Sequence, residues 1–239
     1  MQIEKFPAHA RGHADHGWLN THHTFSFAGW YHPQRLHYGV LRVLNDDWVQ
    51  PGAGFPKHPH QNMEIISIPL QGALQHEDSL GNKGVISTGD VQVMSAGTGV
   101  THSEFNASQE APVAFLQIWL FPDAKGHVPR YGQLRYEETE VEQKWKTVVA
   151  PGPREDLPTW IHQESWFYLG RFKAGTEWSL PRRARQKSGF FLMVLEGAAT
   201  VAGETLKKRD ALGLQGSDSL RGQANEDAFL LAMEIPDLK

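Results

Sequence analysis

Short apolar runs of strand length, separated by glycine-bearing turns, dominate the pattern of the chain. Glu64-Ile-Ile-Ser-Ile-Pro-Leu70, Val113-Ala-Phe-Leu-Gln-Ile-Trp-Leu-Phe121 and Phe190-Phe-Leu-Met-Val-Leu195 are rich in β-branched and aromatic residues, which predicts strands. Leu70-Gln-Gly72, Ser79-Leu-Gly-Asn82, Ser87-Thr-Gly-Asp90, Glu196-Gly197 and Ala202-Gly203 read as turns between strands, and Asn45-Asp46-Asp47 as another. Amphipathic helical periodicity is scarce. The pattern therefore predicts an all-β protein, a sandwich or a closed barrel. A polar stretch over 137–158, with Glu137-Glu-Thr-Glu140, Pro151-Gly-Pro153 and Pro158, predicts a linker between an N-terminal domain, 1–136, and a C-terminal domain, 159–239. The two parts share a cadence. Pro69-Leu-Gln-Gly-Ala-Leu74 followed by Gly89-Asp-Val-Gln92 is echoed by Val194-Leu-Glu-Gly-Ala-Ala199 followed by Arg209-Asp-Ala-Leu212, as two copies of one barrel unit would be.

Composition narrows the chemistry. With 40% hydrophobic and 21% charged residues in 239, the chain is an ordinary globular one. No run approaches the roughly 20 apolar residues of a membrane span. Met1-Gln-Ile-Glu-Lys-Phe-Pro7 lacks the apolar core of a signal peptide, so the expected compartment is the cytoplasm, with no membrane partner. A net charge of −4 provides no global basic field for direct nucleic-acid contact. Arg182-Arg-Ala-Arg185 and Lys207-Lys-Arg209 read as solvated faces. The absence of Cys excludes disulfides, thiolate metal sites, iron–sulfur clusters and Cys nucleophiles. Histidine remains. The chain has 13, of which only His127 and His162 lie beyond residue 102.

Two short motifs concentrate ligand chemistry. His58-Pro-His60 places two imidazoles two residues apart, hence on one face of a strand. Glu64 lies at an even offset from both and shares that face if the strand continues regularly. His102-Ser-Glu104 repeats the spacing. Brought together on facing strands, these residues supply three neutral imidazoles and a carboxylate, a set for one divalent first-row metal with open positions. Iron, zinc, manganese, nickel and copper all suit such ligands. The bland readings are surface histidines and strand-end charges. Trp18, Phe25, Phe27 and Trp119 read as barrel aromatics, and His22, His23 and His76 as packing residues or supports of a ligand imidazole.

The glycine–histidine spacing resembles the cupin superfamily. Gly52, His58, His60 and Glu64 fit its first motif, with Gly72 one residue late; Gly89, Gly97, His102 and Asn106 fit its second, with Ser95 in place of Pro. Longer strings are similar to the pirin family: His16-Gly-Trp-Leu-Asn-Thr-His-His-Thr-Phe-Ser-Phe27, Leu41-Arg-Val-Leu-Asn-Asp-Asp47, Gly54-Phe-Pro-Lys-His-Pro-His60, His76-Glu-Asp-Ser79, Gln92-Val-Met-Ser-Ala-Gly-Thr-Gly99 and His102-Ser-Glu104. The resemblance implies a bicupin, two β-barrels face to face, with one metal, preferably Fe(II), in the N-terminal barrel. It also implies His58, His60, His102 and Glu104 as ligands; the residues alone favour neither Glu104 nor Glu64. The implied activity is cleavage of a flavonol such as quercetin by dioxygen, with Glu104 or Glu64 as the base. The implied alternative is a metal-dependent, redox-responsive regulator acting through a protein partner. The C-terminal barrel is expected to hold no metal, since Leu180-Pro-Arg-Arg183 falls where His-x-His would stand.

Overall fold

Strand follows strand in the computed structural model, which describes residues 1–238. Among these, the helical exceptions are a 3-10 turn at Ala8–Ala10 and a single α-helical turn at Glu138–Val141. The all-β expectation holds. No helix in the described residues is long and apolar enough to cross a membrane.

The chain forms two compact units. The N-terminal unit comprises Gly12–Arg135 with Pro151–Gln163; the C-terminal unit comprises Met1–Arg11, Tyr136–Ala150 and the residues from Glu164 onward. These limits differ from the expected 1–136 and 159–239. Strand Gln2–Phe6 pairs antiparallel with Ala211–Gln215, and Phe6 packs its ring 5.2 Å from Phe191, so the first residues complete the C-terminal unit. The stretch expected as a linker, 137–158, carries the Glu138–Val141 turn and strand Lys146–Pro151, which pairs with Trp166–Phe172. Only Thr147-Val-Val-Ala150 signals that strand in the sequence, and the charged residues around it mask the signal. Val148, Val149 and Ala150 are nevertheless fully buried.

The N-terminal unit consists of two antiparallel sheets. The larger has the order Arg130–Arg135, Asp90–Ser95, Glu64–Gln71, Val113–Leu120, Leu41–Val49, Leu19–His23, Gly12–Asp15; the smaller has Gly54–His60, Val100–Asn106, Ala73–Asp78, Lys83–Ser87. Leu19, Val49, Leu74, Ile86, Val113 and Phe115, drawn from both sheets, form one apolar cluster. Asn45-Asp46-Asp47, expected as a turn, lies inside strand Leu41–Val49. Its turn-forming composition is overridden because Asn45 and Asp47 are buried polar residues with partners: His23 Nδ1 lies 2.9 Å from Asn45 Oδ1, and the Thr21 hydroxyl donates to Asp47.

The C-terminal unit repeats this topology. Its larger sheet runs Gln2–Phe6, Ala211–Gln215, Ser188–Glu196, Ala228–Pro236, Trp166–Phe172, Lys146–Pro151, and its smaller one Glu177–Pro181, Ser219–Ala224, Ala198–Val201, Glu204–Lys207. The register matches pair by pair. In the N-terminal small sheet His58 faces His102, which faces Asp78; in the C-terminal one Trp178 faces Gly222, which faces Val201. Trp178-Ser-Leu180, two residues earlier than expected, therefore occupies the place of His58-Pro-His60. The cadence read from the sequence is a real structural repeat.

Candidate metal centre

His58 and His60 lie on Gly54–His60, an edge strand, which tolerates Pro56 and Pro59 because no neighbour needs their missing N–H groups. Gly54 lets this strand approach its partner: a Cβ there would meet the Glu104 carbonyl oxygen at 2.3 Å. His102 and Glu104 lie on the adjacent Val100–Asn106, where His102 faces His58 and a bulge shifts the pairing before Glu104. The third strand, Ala73–Asp78, brings His76 opposite Glu104 and Asp78 opposite His102.

Three imidazoles converge. The ring centroids of His58, His60 and His102 lie 4.5 to 4.9 Å apart, and one ligand atom from each falls within 4.8 Å of the others. His58 Nδ1 donates to the Pro56 carbonyl oxygen at 2.8 Å, which puts the Nε2 lone pair into the cluster, 3.1 Å from His102 Nε2. His60 Nε2 and His102 Nδ1 are buried without a hydrogen-bond partner. Buried polar atoms without partners cost stability, and nitrogen lone pairs gathered in this way match a cation. Burial, reinforced by the His58 charge, lowers the pKa of His60 to about 4; burial and then His58, His60 and His76 push His102 lower still. Both rings stay neutral over the physiological range, the form a metal requires. A transition-metal ion therefore fits these residues.

The two glutamates part company. Glu104 is 1% exposed and points between the sheets; Ser67 Oγ donates to its Oε1 at 3.0 Å and Gln117 Nε2 to its Oε2 at 2.8 Å. Burial raises its pKa, against the pull of the nearby His76. Its carboxylate groups most closely with His76 and His102, again with all three ligand atoms within 4.8 Å. Glu64 does not join the cluster, contrary to the even-offset expectation. Ser67, three residues along the same strand, faces Glu104, so Glu64 faces the opposite side of the sheet. There it accepts from Ser95 Oγ at 2.6 Å and from the His162 backbone N–H, with Arg130 and His127 nearby. The parity argument fails because the chain changes sheets between His60 and Glu64, through Asn62 in the left-handed region at φ 50°.

His76, which reads from the sequence as a packing residue or a support of a ligand imidazole, lies beside His102, with ring centroids 5.3 Å apart. It is fully buried, its Nε2 donates to Asp78 Oδ2 at 3.2 Å, and its Nδ1 has no hydrogen-bond partner. His23 sits further off, its ring 5.3 Å from Phe27, whose ring meets Trp119 edge-on; His22 stacks on His13. Trp119 also meets His60 edge-on at 4.9 Å, so it is a wall of the cluster and not merely core. A depression of 440 Å³ lined by Pro59, His60, Gln61, Ser79 and Gly99 to Thr101 opens beside it. Ser67 and Gln117 escaped the sequence reading. Their signal is a polar residue set within a buried apolar run, Ile65-Ile-Ser-Ile68 and Phe115-Leu-Gln-Ile118.

Known proteins resemble the chain over nearly its whole length. A family model described as Pirin matches residues 6–120, and one described as a quercetinase C-terminal cupin domain matches 147–235. The chain is 37% identical over 229 residues to a quercetin 2,3-dioxygenase of Escherichia coli K12, covering 96% of each chain. It is 38% identical over 232 residues to a pirin-like protein of Caulobacter vibrioides, covering 97% of this chain and 99% of that one. Among solved structures, a bacterial pirin of Escherichia coli in complex with nickel(II) superposes with a TM-score of 0.92 at 34% identity, covering 99% of this chain and 100% of that one.

Proposed function

Since the chain belongs to the pirin family, a bicupin fold, we propose that it is a metal-dependent dioxygenase that opens flavonols such as quercetin with dioxygen. The observation that carries this reading is the convergence of the neutral imidazoles of His58, His60 and His102 on one point. In the proposal these three residues and Glu104 hold one ion, Fe(II). When bound, the ion supplies Lewis acidity toward the adjacent oxygens of a flavonol and a route for electrons to dioxygen. The protein supplies the rest. Trp119 and Phe27 provide an aromatic wall beside His60 for the flat rings of the substrate.

Glu104 is the base in this reading, and Glu64, on the far face of the sheet, is not. Burial raises the proton affinity of Glu104, so its carboxylate can take and keep the proton of an acidic ring hydroxyl. Ser67 and Gln117 hold the carboxylate still, one donor to each oxygen. Loss of that proton enriches the flavonol ring in electrons, which favours addition of dioxygen across it.

The test is oxygen uptake by Fe(II)-reconstituted protein given quercetin, with His102→Ala as control. Uptake is expected from the parent protein only. Equal uptake in both would mean free-metal chemistry. No uptake in either would replace the enzyme with a redox-responsive regulator acting through a protein partner.

A further inference from the structure

We propose that His76 is itself a metal-binding residue, forming with His102 and Glu104 an inner cation position that shares those two residues with the proposed outer position of His58, His60, His102 and Glu104. It rests on the metal-binding half of the proposed function and is independent of any flavonol chemistry.

Three observations carry it. First, one ligand atom each from His76, His102 and Glu104 lies within 4.8 Å of the other two, the same tightness as the outer set. All three side chains are at most 1% exposed, so the arrangement is a built interior feature and no surface coincidence. Second, His76 is prepared as a metal ligand is. One ring nitrogen, Nε2, is fixed by the Asp78 carboxylate, while Nδ1 is buried and unpartnered. A carboxylate on the far nitrogen sets the tautomer and raises the basicity of a ligating imidazole. Asp78 is itself held in place: Asn82 Nδ2 reaches its Oδ2 at 2.9 Å, and the backbone N–H groups of Leu80 and Asn82 donate to its Oδ1 at 2.9 and 3.0 Å. His58 is likewise fixed on one side, with Nδ1 on the Pro56 carbonyl, and turns Nε2 toward His102 Nε2 in the outer set. Third, Glu104 lies with the inner group, its oxygens steadied by Ser67 and Gln117. Two imidazoles and a carboxylate are a complete minimal set for a divalent first-row cation.

The prediction is an inner position that still holds one cation after loss of the outer histidines. Metal-free protein would be titrated with Co(II) and followed by visible absorption, with bound metal counted after gel filtration and folding checked by circular dichroism. The double variant His58→Ala/His60→Ala is expected to keep one equivalent of cobalt, bound more weakly than in the parent. Adding His76→Leu should abolish it. Adding Asp78→Asn instead leaves the imidazole in place and should weaken binding about 10- to 100-fold. If the His76→Leu protein does not fold, the Asp78→Asn comparison decides alone. A double variant that binds no cobalt while the parent does would overturn the inner position and leave the outer one standing. So would binding in the double variant that neither His76→Leu nor Asp78→Asn alters. A parent protein that binds no cobalt would instead refute the metal centre as a whole.

Discussion

The two small sheets have one topology and opposite interiors. Where the N-terminal sheet carries His58, His60, His102, Glu104, His76 and Asp78, the matching register positions of the C-terminal sheet carry Trp178, Leu180, Gly222, Ala224, Ala199 and Val201. Every one of those C-terminal residues except Gly222 belongs to the apolar core cluster of its unit. Gly222 is part of the same solution: a Cβ there would meet the Trp178 ring at 2.5 Å, so the indole fills the space that an imidazole occupies in the other barrel. One framework thus tolerates either content. The apolar content stabilises through burial alone, whereas the polar content leaves imidazole nitrogens without partners until a cation arrives. Chemistry here is a property of six register positions, and the fold itself does not dictate it.

The largest expected effect breaks or keeps that contrast directly. Trp178→Ala removes a large side chain that is 6% exposed and should cost about 3–5 kcal/mol. His58→Ala, at the matching position, should cost no more than about 1 kcal/mol in metal-free protein. Urea unfolding of the two variants, with metal stripped, compares them. Equal losses would mean that the histidines are packing residues and that the two interiors are equivalent after all.

What could be read from the sequence follows the same divide. The shared face of His58 and His60, and of His102 and Glu104, is legible because each pair sits two apart on a single strand, where parity holds; the preference for Glu104 over Glu64 comes only from the family resemblance. Glu64 was misplaced because parity was carried across a change of sheet at Asn62, a break that no periodicity reveals. His76 reads only as packing or support because its neighbours Glu77 and Asp78 give the segment a polar character, and its full burial becomes visible only in the fold. The match of Trp178 and Leu180 to the histidine pair was missed by two residues, since an apolar core pair leaves no chemical marker to align. Likewise, nothing in Gln2-Ile-Glu-Lys-Phe6 says which barrel it will join; that depends on the open edge at Ala211–Gln215.

The next effect in size concerns the ion. A cation at a hundredfold excess over its Kd stabilises the native state by about 2.7 kcal/mol, all of it directed to the N-terminal barrel in this reading. Because His102 belongs to both ligand groups, His102→Ala should erase that stabilisation completely. Thermal melts with and without Ni(II) read it as the loss of the metal-induced rise in Tm. A full rise in the His102→Ala protein would place the ion elsewhere and dissolve the contrast between the barrels.

The smallest effect separates two kinds of buried carboxylate within the N-terminal barrel. Burial raises the Glu64 pKa to about 7, even though Ser95, the His162 N–H, Arg130 and His127 favour its charge. The native state therefore keeps a proton that the unfolded chain releases near 4.5. Stability from this group is full below about pH 4.5 and is lost as pH rises toward about 7. Glu64→Gln retains an acceptor for Ser95 and the His162 N–H but removes the charge. The variant should match the parent near pH 4.5 and exceed it in stability at pH 8, with metal content unchanged. Glu104→Gln should instead lower metal content, because that carboxylate points at His76 and His102. Chemical unfolding at the two pH values, paired with metal analysis of both variants, measures this. If Glu64→Gln lost the metal, Glu64 would belong to the centre, and the division of the sheet into a ligand face and a structural face would fail.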